Sequence, residues 1–113
     1  MKLRLTNREI RLRLSAAEIN DFAVLGRIDE VVYLGVQAGG AFGFSLEAGE
    51  YESLFAKFDG TSLCLGVPVD LARRWTSSDL IGIESEQDSG NSRVRILVEK
   101  DLGRMSSKLK GRE

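Results

Sequence analysis

Lys2, Arg4, Arg11 and Arg13 stand at alternate positions of two short segments, KLRL and IRLRL, near the start of a 113-residue chain. Paired as a hairpin with Leu5 opposite Ile10 and Leu3 opposite Leu12, the segments set Arg4 against Arg11 and Lys2 against Arg13. Like charges directly across a strand pair repel, so something negative must lie beside them. A neighbouring strand carrying Glu or Asp would serve, and so would an anionic ligand. A second polar group comprises Glu86, Glu99, Lys100 and Asp101, with Gln87, at the ends of the last hairpin. Carboxylates and a lysine are the materials of acid/base work or of a hard-cation site. Strand alternation sends Glu99 and Lys100 to opposite faces, however, and a solvated strand end is the plainer reading of that group.

Other chemistry finds little support in the sequence. There is no histidine. That removes the commonest general base, the usual partner of Ser and Cys nucleophiles, and the commonest nitrogen ligand of zinc. Gly35, Gly39, Gly40 and Gly43 lie between strands, with no following helix to aim amides at a phosphate, and neither a Walker loop nor a dinucleotide fingerprint is present. The sequence therefore assigns no catalytic residue, metal ligand or cofactor. Cys64 is the one cysteine, which excludes an internal disulfide. Its place in an apolar strand predicts a buried thiol.

The elements that must position these groups are legible from periodicity. Residues 1–14 form the first hairpin, turning at Asn7. Ser15 and Glu18 make a capping box for a helix over 16–25, with Ile19 and Phe22 inward and Gly26 as its stop. Strands over 27–35 and 41–48 join through Gly39 and Gly40, and the expected register sets Val31 against Ala48 and Tyr33 against Leu46. GEYES, residues 49–53, is a connector. Strands 54–58 and 63–67 turn at Gly60, with Phe58 opposite Leu63 and Ala56 opposite Leu65. A helix over 69–77 follows Pro68 and buries Leu71 and Trp75. IGIESEQ and SRVRILVEKD pair around Ser89 and Gly90, with Ile83 expected opposite Ile96, Ile81 opposite Val98, Glu84 opposite Arg95 and Glu86 opposite Arg93.

This order of elements repeats. A shift of about 53 residues lays Ile10, Leu12, Leu14 and Phe22 on Leu63, Leu65, Val67 and Trp75. The expected fold is α+β: two pseudo-twofold-related ββαββ repeats, about 1–48 and 54–102, giving eight mainly antiparallel strands, as a barrel or half-barrel, and two short helices. Residues 1–102 are expected to make a single domain, followed by a basic, flexible tail over 103–113. The body carries 12 basic and 16 acidic side chains, a net −4, and the tail four basic and one acidic, a net +3.

The opening MKLRL and IRLRLSAAEI, the segment VPVDLARRW, and the pair GIESEQ and ILVEKDL together resemble an uncharacterised family of short bacterial proteins catalogued as a domain of unknown function. The resemblance covers roughly residues 1–102 and implies a bacterial, soluble, single-domain protein, with no activity, substrate or cofactor attached. Members of that family continue with a cysteine and an acidic, proline-containing tail. GRMSSKLKGRE stands here instead, so no role of that cysteine or tail carries over.

The absence of an apolar run of membrane length and of a signal-like start predicts a cytoplasmic protein with no membrane contact. The leading functional expectation is a small binding or interaction domain without catalysis, taking a protein or small-molecule partner. An enzyme using Glu86, Glu99, Lys100 or Asp101, with Arg11 and Arg13 positioning an anion, is the alternative. Nucleic-acid binding through Lys2, Arg4, Arg11 and Arg13, helped by Lys108 and Lys110, is disfavoured by the acidic body and by a basic face without stacking aromatics. An alternating strand at a sheet edge would also permit a homodimer.

Overall fold

The computed structural model describes residues 1–35 and 39–102. The tail expected over 103–113, with Lys108 and Lys110, lies outside the described residues. The order of elements is β1 (Lys2–Leu5), β2 (Glu9–Leu14), α1 (Ala16–Leu25), β3 (Arg27–Tyr33), β4 (Ala41–Gly49), β5 (Phe55–Phe58), β6 (Ser62–Pro68), α2 (Val69–Ser77), β7 (Gly82–Asp88) and β8 (Arg93–Lys100). Local rules set these boundaries. The Ser15 hydroxyl accepts from the Glu18 amide and the Glu18 carboxylate accepts from the Ser15 amide, so both orphan donors at the start of α1 are satisfied. Gly26 closes the helix in the left-handed region, at φ 75°, with its N–H donated to Phe22 O.

The strands form two four-stranded sheets, one in the order β1-β2-β8-β7 and the other β3-β4-β6-β5. Four of the six strand pairings are antiparallel, but the two central ones, β2 with β8 and β4 with β6, are parallel. Each sheet thus takes one hairpin from each half of the chain, and the parallel pairings stitch the halves together. The repeat relation carries the first sheet onto the second with its order preserved: β1, β2, β8 and β7 correspond to β5, β6, β4 and β3.

The sheets do not close into a barrel. Where a barrel would continue the ladder from β7 to β5, side chains span the gap instead. The Gln87 amide accepts from Ala56 N at 2.8 Å and donates to Ala56 O at 2.9 Å, and the Ser85 hydroxyl donates to Leu54 O at 2.6 Å. At the corresponding β1–β3 seam the Met1 amino group reaches the carboxylates of Glu18 and, at 2.7 Å, Glu30. Burial works against the charge on that amine, but the two carboxylates outweigh it and raise its pKa.

Between the sheets lies one core, in which Leu12, Leu14, Leu46, Leu65, Val67, Ile96 and Val98 are almost fully buried. Four of these are the repeat-related residues, so the periodicity that exposed the repeat is the periodicity of core burial. Phe22 and Trp75 meet edge to face, ring centroids 6.2 Å apart, where α1 packs on α2. The expected registers of β1–β2 and β5–β6 hold.

Two other registers differ. In the last hairpin Ile83 faces Val98 and Ser85 faces Ile96, because the turn is centred one residue later, on Gly90 and Asn91, with Ser89 N donating to Ser92 O at 2.8 Å. That displacement is even, so every side chain keeps its face. Glu84–Arg95 and Glu86–Arg93 still pair, at 2.9 and 3.0 Å, as diagonal neighbours rather than direct partners. In the β3–β4 hairpin the displacement is odd. Val31 faces Gly43 and Tyr33 faces Ala41, while Ile28 takes the place opposite Leu46. The tight αL turn at Gly26 starts β3 at once, and the Ala48 N–H donates to Gly26 O at 2.8 Å, which pins the register. An odd shift exchanges faces, so Val31 and Tyr33 point away from the core.

Candidate functional site

The outer face of the first sheet gathers the basic residues of the first hairpin. Arg4 and Arg11 are register partners, as are Lys2 and Arg13. Strand β8 supplies counter-charge on the far side of β2, where Glu99 is paired with Arg13 in the parallel register. Arg13 Nε donates to Glu99 Oε1 at 2.8 Å, and Lys2 Nζ lies 3.4 Å from Asp101. The neighbouring carboxylates required by the sequence are thus present for this pair. Arg11 is served less well: Glu9 and Glu99 stand 3.6 and 4.0 Å from its terminal nitrogens, and its buried Nε has no acceptor among the described residues.

The polar group of the last hairpin is dispersed. Glu99 and Asp101 join the basic face, Glu86 pairs with Arg93 nearer the opposite end of the hairpin, and Lys100 turns to the other side. Lys100 Nζ donates to Ser78 O at 2.7 Å and lies over the Trp75 ring, 5.9 Å from its centroid. Among the described residues no three His, Cys, Asp or Glu side chains cluster as a metal site would need.

The outer face of the second sheet is different in kind. Its central strands present small residues there: Ala41, Gly43 and Ser45 from β4, and Ser62, Cys64 and Gly66 from β6. Cys64 is half-buried on this face rather than in the core, because Leu63 and Leu65 take the inward positions. Its Sγ is 3.9 Å from Glu47 Oε1. Tyr51 lies flat on Gly66 and donates its hydroxyl to Glu47 at 2.8 Å, while Lys57 donates to that hydroxyl at 2.9 Å. The Tyr51 hydroxyl, with Arg27 next to it, holds the Glu47 carboxyl below its ordinary pKa. Nearby, Asp59 accepts the amides of Thr61 and Ser62, which pull its pKa down to about 2.

The close approach of Tyr51 explains why residue 66 has no side chain. A Cβ at that position would sit 2.6 Å from Tyr51 Cε2, inside the ring's contact surface. Gly66→Ala is therefore expected to expel the ring and cost about 1–2 kcal/mol in urea unfolding, within the usual range for overpacking. Tyr51→Ala in the same chain should remove most of that added cost. Additive losses would show that the ring does not set the constraint.

Strand β3 is the free edge of this sheet. Val31 is 51% exposed, Tyr33 79% and Leu34 72%, with Val32 also exposed. Leu34 N bonds Gly40 O, so the alternation of antiparallel pairing turns the main-chain groups of Asp29, Val31 and Tyr33 away from β4. By their registers against β4 and β8, the residues of β7 corresponding to Val31, Val32 and Tyr33 are Glu86, Gln87 and Asp88. The β7 edge is charged and clasped to β5, whereas β3, tied to Met1 at Glu30, is apolar and exposed over Val31–Leu34. Sequence reading missed this surface because the expected register put Val31 and Tyr33 on the core-facing row of β4. The signal that would have found it is the contrast of VVY with EQD at repeat-related positions.

Fold and surface together define a class: a two-sheet α+β protein of interlocked ββαββ repeats, with one charged outer face and one of small residues bordered by an apolar edge. The chain belongs to a family of unknown function, DUF7009, whose model matches residues 1–110. No curated protein and no solved structure matches it. No helix among the described residues is long and apolar enough to cross a membrane.

Proposed function

We propose that this protein is an interaction domain without catalytic activity, which joins an extended strand of a protein partner to the open edge of β3. The observation that carries the reading is the run Val31–Leu34, exposed on a strand whose outward main-chain groups have no ladder to complete. Long apolar edges template pairing with another chain, and proteins ordinarily blunt them with charge, as Glu84, Glu86 and Asp88 do on β7. Leaving the Val31–Leu34 end of β3 unblunted in a fold that blunts its twin suits strand addition, in which main-chain bonds give affinity and alternate side chains give specificity. A second copy of the chain is one partner of this kind. The single cysteine, and a core assembled without a disulfide, support placing the protein in a reducing cytoplasm.

A peptide copying residues 27–35, RIDEVVYLG, offers a strand of matched length. Titrated into the labelled protein, it is expected to shift and protect the amides of Asp29, Val31 and Tyr33, and Val31→Lys with Tyr33→Lys should abolish the effect. A chain that stays monomeric to about 0.5 mM and shows no peptide response at β3 would overturn the proposal.

A further inference from the structure

The first sheet carries a separate site. We propose that the cleft between Arg4 and Arg11 binds a small tetrahedral oxyanion of the phosphate or sulfate class, free or as the terminal group of a small molecule. The cleft has a volume of about 180 Å³ and is lined by Lys2, Leu3, Arg4, Arg11 and Arg13.

The four cations fall into two pairs with different fates. Lys2 and Arg13 have their own carboxylates, Asp101 and Glu99, at 3.4 and 2.8 Å. Arg11 shares its two, Glu99 with Arg13 and Glu9 with Arg95, and Arg4, directly opposite it, has none among the described residues. Arg4 makes no ion pair or hydrogen bond among the described residues. Arg11 has carboxylates only at 3.6 and 4.0 Å, beyond good hydrogen-bond reach, and keeps a buried Nε–H without an acceptor. A buried donor left unmade is costly, and a fork of parallel N–H groups matches a tetrahedral oxyanion. An anion seated between the two guanidiniums would accept from their terminal N–H groups, which lack close acceptors, and remove the repulsion across the strand pair at once.

The repeat gives an internal comparison. At the positions in β5 and β6 related to Lys2, Arg4, Arg11 and Arg13 by the 53-residue shift stand Phe55, Lys57, Cys64 and Gly66. The inward residues of the two hairpins share their apolar character, so the fold asks for the core pattern and not for the basic quartet. The cleft stands apart from the β3 edge, on the outer face of the other sheet, so neither reading depends on the other.

The test is a titration of the full-length labelled chain with potassium phosphate at fixed ionic strength, against potassium chloride, read at the Arg11 Nε–H resonance and the amides of β1 and β2. A saturable shift with phosphate and none with chloride is expected. Arg11→Gln and Arg4→Gln should each weaken it at least tenfold, with the remaining spectrum unchanged, and Arg93→Gln should leave it intact. Sulfate and glycerol 3-phosphate, run in parallel, distinguish the sources. Tighter binding of the ester assigns a phosphorylated small molecule, and equal or tighter binding of the inorganic ions assigns a free oxyanion. Equal shifts with chloride, or undiminished binding in both glutamine variants, would overturn the site.

Discussion

Produced separately, residues 1–50 and 51–113 are each expected to remain unfolded, and mixing them should restore the native near-ultraviolet signal of Trp75. The reason lies in the strand order. Cutting the connector leaves each half with two hairpins that never pair with one another, because β2 pairs with β8 and β4 with β6. Each fragment would own two two-stranded ribbons with no ladder between them and one helix of ten or nine residues. Isolated hairpins are marginal in water, and helices of that length need tertiary packing. The apolar face of each ribbon would also lose the half of the opposing sheet that the other fragment supplies. The expected effect is total loss of cooperative unfolding for either half and its recovery in the mixture. A sigmoidal thermal transition from either fragment alone would show that one ββαββ unit suffices and that the interlocking is incidental.

Trp75→Ala is expected to cost about 3–5 kcal/mol, the range for removing a large buried aromatic. Typical stabilities are about 5–15 kcal/mol, so this single change takes a large share of the total. Trp75 is 0% exposed, meets Phe22 edge to face, and donates its indole N–H to Ile81 O at 2.9 Å. It therefore ties α2 to α1 and to the segment entering β7. Truncation opens a void where the two repeats meet and leaves a carbonyl without its donor. Trp75→Phe should cost much less, since it keeps an aromatic against Phe22 and loses the indole bond, worth about 0.5–1.5 kcal/mol net. Urea midpoints at unchanged m-value would measure both. A loss below about 1 kcal/mol for the alanine variant would mean that the helix pair contributes little to the core, contrary to the burial.

Much of the fold was legible because it is local. The helix boundaries came from the Ser15–Glu18 box and from Gly26, whose hydrogen bonds span three or four residues. The first hairpin was readable because alternation and a short turn leave one register that keeps Leu3, Leu5, Ile10, Leu12 and Leu14 on a single face. That register placed the basic quartet correctly, and it required the negative neighbours that Glu99 and Asp101 turned out to be. The grouping of Glu86 with Glu99, Lys100 and Asp101 was not preserved, since residues close along a hairpin's ends in sequence alternate between faces and lie far apart along the strands.

What the sequence determined by itself is the set of elements, most of the inward residues, and the existence of two related halves, because each follows from a period or a turn of a few residues. The tertiary structure alone decided the swap of hairpins between sheets, the two parallel central pairings, and the odd register of β3 that turns Val31 and Tyr33 outward. Those depend on contacts between distant segments, where a parallel pairing leaves no turn signature and one residue of slip exchanges the faces of a strand. The basic cleft lies on an outer face and the Val31–Leu34 run on an edge strand, where the core imposes no pattern for the sequence to repeat.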